Sequence, residues 1–153
     1  MIIDNVKDVY FMRIALEEAN LAYAKGEVPV GAVLVKDGKV IAKTHNQKET
    51  SRDPTGHAEI ISLRLGSRQN ENWRFMDSTL YVTKEPCIMC AGAIVNARLG
   101  RLVYGCKDEK SGAVDSLYSI LSDKRLNHCV EVTAGVLEKE CSEILKSFFQ
   151  NHR

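Results

Sequence analysis

Two short stretches of this chain carry residues suited to chemistry, His57-Ala58-Glu59 and Pro86-Cys87-Ile88-Met89-Cys90. Cys87 and Cys90 are three positions apart at the start of an expected helix, so both thiols can point the same way. Free amides at a helix N-terminus favour thiolates, the form that binds metal. His57 can supply a third ligand from the preceding helix. Three protein ligands leave the fourth tetrahedral position of a zinc ion open to water, as a catalytic site requires. Zinc lowers the pKa of bound water from about 15.7 toward about 7, which makes hydroxide available at neutral pH. Glu59 lies two residues from His57 and need not share its direction. It is read as a proton shuttle and not as a ligand, a role typically worth about 10²–10⁴-fold. One zinc ion per subunit is expected.

Each piece alone is weak. Buried cysteines are ordinary small core residues, and His-x-Glu is common. The signal is the combination, with Pro86 ahead of the first cysteine and both pieces at helix starts. A closed structural zinc site would need a fourth ligand. Cys106, Cys129 and Cys141 fall in separate elements without metal spacing, and they read as core fillers.

The elements that must position these residues alternate. Met12, Ala15, Leu16, Ala19, Ala22 and Tyr23 share one face of an amphipathic helix that ends near Gly26. VPVGAVLV and VIAKTH flank Lys36-Asp37-Gly38-Lys39 and read as a hairpin. HAEIISLRLGSR is helical. Ser78 to Thr83 is a strand buried on both faces, because its apolar residues run together. CIMCAGAIVNAR is a helix, RLVYG a strand, SLYSIL a short helix and CVEVTAG a fifth strand. EKECSEILKSFF closes the chain as a helix with Leu145, Phe148 and Phe149 facing inward. This order, αββαβαβαβα, predicts an α/β domain with helices on both faces of one sheet.

The 153 residues suit one domain, 1–153. Apolar residues make up 44% and charged residues 27%, the balance of a folded soluble domain. A net charge of +1 neither demands nor excludes a nucleic-acid partner. The N-terminus lacks the pattern of a signal peptide, and no apolar run approaches the ~18–20 residues of a membrane span. Five cysteines, an odd number, fit reduced thiols in the cytoplasm better than a disulfide framework.

His-x-Glu followed by Pro-Cys-x-x-Cys is the pattern of zinc nucleobase deaminases, and it resembles the cytidine/deoxycytidylate deaminase superfamily. EVPVGAVLV, His45-Asn46, DPTGHAEI, LYVTKEPCIMCAGAIVNARL, VYG, the Asp108–Gly112 loop, LNH and the Gly135-to-Phe149 close are similar to the bacterial tRNA-specific adenosine deaminases. The resemblance implies a three-layer α/β/α cytidine-deaminase-like fold with a five-stranded mixed sheet. It implies a homodimer that converts adenosine to inosine at the wobble position of a tRNA anticodon, usually in an arginine tRNA. The family's metal and shuttle positions fall on His57, Cys87, Cys90 and Glu59. Asn46 matches a residue contacting the target nucleotide, Val30 and Ala58 line the base pocket, and Asp108 lies in a loop meeting the anticodon. Phe148, Phe149 and Arg153 match the segment lying along the RNA. Gly56 replaces a common alanine, Lys84 stands where an apolar residue is usual, and the Gln150–Arg153 end is less basic than the pattern.

From the residues alone, other readings stay open. Asn46 can read a flipped base or serve as a turn residue. Asp108 can accept a 2′-hydroxyl bond or be an ordinary turn acid. The Phe148-Phe149 pair can stack on a base, with one ring in the core. Lys107, Lys110, Arg98, Arg101 and Arg125 can meet phosphates or be merely solvated. The same zinc motif also serves a deaminase of a free base or nucleotide such as cytosine or guanine. A zinc-stabilised binding module without catalysis is a third reading, against which Glu59 argues.

Overall fold

Side chains alternate across the strands and sort the apolar residues into two cores, one on each face of a single sheet. In the computed structural model, residues 5–152 are described. They run as α1 (Val6–Ala24), β1 (Gly31–Lys36), β2 (Lys39–His45), α2 (Ala58–Asn70), β3 (Ser78–Lys84), α3 (Ile88–Asn96), β4 (Arg101–Cys106), a 3-10 turn at Ile120–Ser122, β5 (Glu131–Ala134) and α4 (Glu138–Asn151). Strand order is β2-β1-β3-β4-β5. β1 is antiparallel to β2 and β3, and the β3–β4 and β4–β5 pairs are parallel, so the sheet is mixed.

Ala32, Leu34, Leu80, Val82, Leu102 and Tyr104 face one core with Ala58 and Leu63 of α2 and Ala91 and Ile94 of α3. Val33, Val35, Tyr81 and Val103 face the other, with Phe11, Met12 and Ala15 of α1 and Cys141 of α4. This is the expected three-layer α/β/α arrangement. The uninterrupted apolar run of β3 is explained by burial on both sides. Each large aliphatic side chain so buried contributes roughly 1.5–3 kcal/mol. The hairpin turns at Asp37 and Gly38, whose φ values of 52° and 74° are those of a two-residue primed turn. No helix among the described residues is long and apolar enough to cross a membrane, and none of the five cysteines is in a disulfide.

Three expectations are corrected. Cys129 does not fill the core but lies exposed just ahead of β5. SLYSIL is not a helix. Only Ile120–Ser122 coils, because the Leu117 and Ile120 amides donate to the Gly112 and Ala113 carbonyls and not to carbonyls four residues back. Phe149 does not face inward. The buried stripe of α4 passes through Cys141 and Phe148 at i and i+7, and Phe149 lies off it, about half exposed.

The strand directions gather one set of ends at one edge of the sheet: the residues before β1 and those after β2, β3 and β4. A cleft of about 620 Å³ opens there, lined by Val30, Asn46, Lys84, Glu85 and Asp108 from these ends.

Candidate active site

His57 and Cys87 are the residues just ahead of α2 and α3, in extended backbone conformations, and neither side chain caps its helix. They turn toward each other instead. His57 Nδ1 lies 3.6 Å from Cys87 Sγ and 3.4 Å from Cys90 Sγ. The three donor atoms all lie within 4.8 Å of one another. Zinc–sulfur bonds of about 2.3 Å and zinc–nitrogen bonds of about 2.0–2.1 Å at a tetrahedral angle put S and N about 3.5–3.6 Å apart. The spacing therefore fits one zinc ion held by His57, Cys87 and Cys90.

The protonation pattern agrees. Hydrogen bonds from Cys90, then from His57, hold the Cys87 thiol down at about 3, a thiolate. The same hydrogen bond to Cys87, with burial, pushes Cys90 far above the thiol range. The Cys87 contact also raises His57. Two protons thus crowd onto one thiolate, where a bound cation would take their place.

Glu59 sits in the first turn of α2, 4% exposed, and lines the cleft with His57 and Cys87. Its carboxyl is outside the donor cluster. Burial raises its pKa above the ordinary carboxyl value.

The structure brings the other predicted residues to the same cleft. Val30 and Ala58 form buried apolar wall, and Asn46 follows β2. Asn46 is a turn residue that also lines the cleft. Its Oδ1 accepts the Lys48 amide at 3.3 Å, a local turn, while the residue still faces the cleft. Phe148 and Phe149 line the outer wall, and the His152 ring stacks on Phe148 at 4.1 Å. Asp108 is at the rim, ion-paired with Lys84 at 3.1 Å. Arg153 lies outside the described residues.

Two buried carboxylates, Glu27 and Glu85, were not anticipated. Glu27 accepts from the Glu49 and Thr50 amides and the Thr50 hydroxyl, and so holds the loop after Asn46. Glu85 accepts from the amides of Asp108, Val114, Asp115 and Ser116 and from the Ser116 hydroxyl. It anchors the opposite rim. Gly112 is required there, because a Cβ would overlap the Glu85 carboxylate. The same loop is tied to the first cysteine by a bridge between Cys87 and Gly112. The only sequence cue is an acid placed between a strand and a proline.

Three donors that could hold a metal beside a buried carboxyl, on this sheet, make the arrangement of a deaminase. Residues 6–153 match the MafB19-like deaminases, and the chain belongs to that family. The tRNA-specific adenosine deaminase of Haemophilus influenzae is 52% identical over 147 residues, 95% of this chain and 85% of that protein. That of Streptococcus pyogenes serotype M1 is 46% identical, covering 96% of this chain and 86% of that protein. A solved tRNA:A34 deaminase, described as editing A to I at the wobble position of transfer RNA, superposes with a TM-score of 0.86 at 46% identity. It covers 89% of this chain and 99% of its own.

Proposed function

We propose that residues 1–153 form one zinc-dependent domain that deaminates adenosine to inosine at the wobble position of a tRNA anticodon. The observation that carries this reading is Glu59, buried in the wall of the same cleft as His57 and Cys87 yet outside the donor cluster. Deamination of tRNA adenosine is the activity for which the relatives described above are named.

His57, Cys87 and Cys90 would hold the zinc, which when bound supplies Lewis acidity that brings water toward a pKa of about 7. Glu59 handles the protons. It takes a proton from the attacking water and gives it to the ring nitrogen beside the carbon that bears the amine, then takes the remaining hydroxyl proton and passes it to the departing amine, which leaves as ammonia while the carbonyl forms. The incoming oxygen derives from water. Val30 and Ala58 leave a narrow apolar slot suited to the faces of a flipped base. Asn46 donates one amide N–H to the Val28 carbonyl at 3.4 Å and keeps the second for the nucleotide. Exposed Phe149 offers a stacking surface to a neighbouring loop base, Phe148 supports it from the core, and Arg153 follows along the RNA. Asp108 belongs to the rim that meets the anticodon.

The enzyme works as a homodimer, with one zinc per subunit, in the cytoplasm. Supporting the dimer, α3 presents Ile88, 57% exposed, beside Met89, Ala93 and Leu126 in an apolar groove that a second copy would cover. An arginine tRNA is the expected substrate.

The test is to incubate zinc-loaded protein with an anticodon stem-loop carrying wobble adenosine and read inosine as A-to-G on reverse transcription. Inosine at that position alone is expected. Folded, zinc-loaded protein that yields none would exclude the substrate, and turnover of free guanine or cytosine would then replace it.

A further inference from the structure

His45 ends β2, and its ring packs against α1 with the side chain 8% exposed. Nδ1 lies 2.9 Å from Oε1 of Glu18 on α1, itself a buried residue. Nε2 lies 3.2 Å from Nζ of Lys25, the residue that caps the end of the same helix. An ammonium only donates, so Nε2 accepts from Lys25, and the ring hydrogen sits on Nδ1 and is donated to Glu18. Turned over, the ring would present carbons to both partners. One orientation alone satisfies Lys25, His45 and Glu18 together. The close approach that permits it is built into the ladder. His45 pairs with Gly31 of β1, where a Cβ would overlap the Ala15 carbonyl of α1 and crowd Glu18 Cβ.

The next residue is Asn46. Successive side chains of an extended chain leave on opposite sides. A ring fixed under α1 therefore sends the Asn46 side chain to the cleft, whose wall includes Asn46 and not His45. The Asn46 amide donates to the Val30 carbonyl at 3.0 Å, which ties the same turn to the start of β1. An apolar side chain would fill the space under α1 at lower cost, because buried charged groups are expensive to desolvate. What the polar chain supplies is a fixed direction.

We propose that His45, locked between Glu18 and Lys25, is a positioning residue that acts through Asn46 and sets the angle at which that side chain meets the target nucleotide. This rests on the RNA-deaminase reading above.

The experiment uses zinc-loaded, full-length protein and an anticodon stem-loop with wobble adenosine. Inosine formation gives kcat and KM, and fluorescence anisotropy gives Kd. His45→Phe keeps a ring and removes both bonds. It is expected to raise KM and Kd about 3–10-fold, the worth of one hydrogen bond. The kcat should stay within about twofold, since uniform binding is what is lost. Glu18→Leu removes the acceptor of Nδ1 and should do the same, whereas Glu18→Gln keeps an acceptor oxygen and should lie closer to wild type. In an Asn46→Ala background, His45→Phe should add less than about twofold to Kd, because residues that act through one another are not additive. Zinc content and melting temperature are the folding controls, and Glu18→Leu carries the same comparisons if His45→Phe does not fold. Lowered stability with wild-type KM and Kd in these variants would overturn the proposal, reduce His45 to packing and leave the deaminase reading intact. An undiminished effect in the Asn46→Ala background would equally overturn it. If the wild-type protein neither binds nor deaminates the stem-loop, the RNA reading itself has failed and this proposal falls with it.

Discussion

His57 and Cys87 hold matching stations, each the residue that opens a helix, and their ligand atoms meet 3.6 Å apart where the starts of α2 and α3 converge. A Ser or Asp in either place would cap its helix, worth about 1 kcal/mol. Both caps are given up for donor atoms, and a metal would restore the loss. Chelation or Cys90→Ser should abolish zinc binding by elemental analysis. The melting temperature should fall by more than about 5 °C, as loss of a tight ligand does in a domain of this size. An unchanged melting curve after complete removal of zinc would contradict this.

Glu59→Gln should keep full zinc stoichiometry, because its carboxyl is outside the donor cluster. Turnover should drop about 10²–10⁴-fold. Activity near wild type would remove Glu59 from the proton path.

Glu85→Ala leaves five donors from Asp108, Val114, Asp115 and Ser116 without their common acceptor. The expected cost is on the order of 3 kcal/mol in urea unfolding, since hydrogen bonds to charged groups are the stronger ones. Hydrogen exchange should quicken selectively over residues 108–116. Slow exchange there would show that Glu85 does not anchor the loop.

The paired phenylalanines should separate stability from binding. Phe148→Ala removes a buried ring stacked on His152 and should cost roughly 3 kcal/mol. Phe149→Ala should change stability by less than about 0.5 kcal/mol, yet weaken RNA binding by about 1–3 kcal/mol. Equal effects on stability would show that Phe149 is packed as tightly as its neighbour.

On the far face of the sheet, burial pulls Asp8 toward its neutral form. Hydrogen bonds from Arg101 and Tyr81 outweigh this, and its pKa is lowered. A carboxylate depressed in the folded state stabilises fully above its unfolded pKa of about 3.9 and ceases to do so as pH falls through the folded value. The stability gap between wild type and Asp8→Asn should therefore be constant from pH 7 to 5 and close below about pH 4. A gap that widens in acid would reverse the sign.

The His57, Cys87 and Cys90 cluster was legible because its chemistry is local. Residue type and a spacing of three suffice for Cys87 and Cys90, and period-two burial locates the strands. Glu27 and Glu85 were not legible, since each acts on a loop more than twenty residues away in the chain. The SLYSIL segment differs for a local reason. Its apolar residues suit a helix, but the Leu117 and Ile120 amides donate to the Gly112 and Ala113 carbonyls instead. Phe149 was misread because neighbours in a helix point about 100° apart, and only one of the two adjacent rings can lie on the buried stripe.

The polarity of the sheet divides its two edges. Val30, Asn46, Lys84, Glu85 and Asp108 share one edge, on segments that side chains hold in place. The other edge is closed by backbone. Gly100 donates to the Phe75 carbonyl at 2.9 Å and accepts from Glu131 at 3.1 Å, leaving no room for a Cβ, and His128 donates to the Leu99 carbonyl at 2.7 Å. Mutational variation is therefore unevenly exposed to selection. Substitutions at the first edge can alter which molecule is recognised while the scaffold persists, whereas substitutions at the second are tested for foldability first, so new specificities should arise on one side of this protein only.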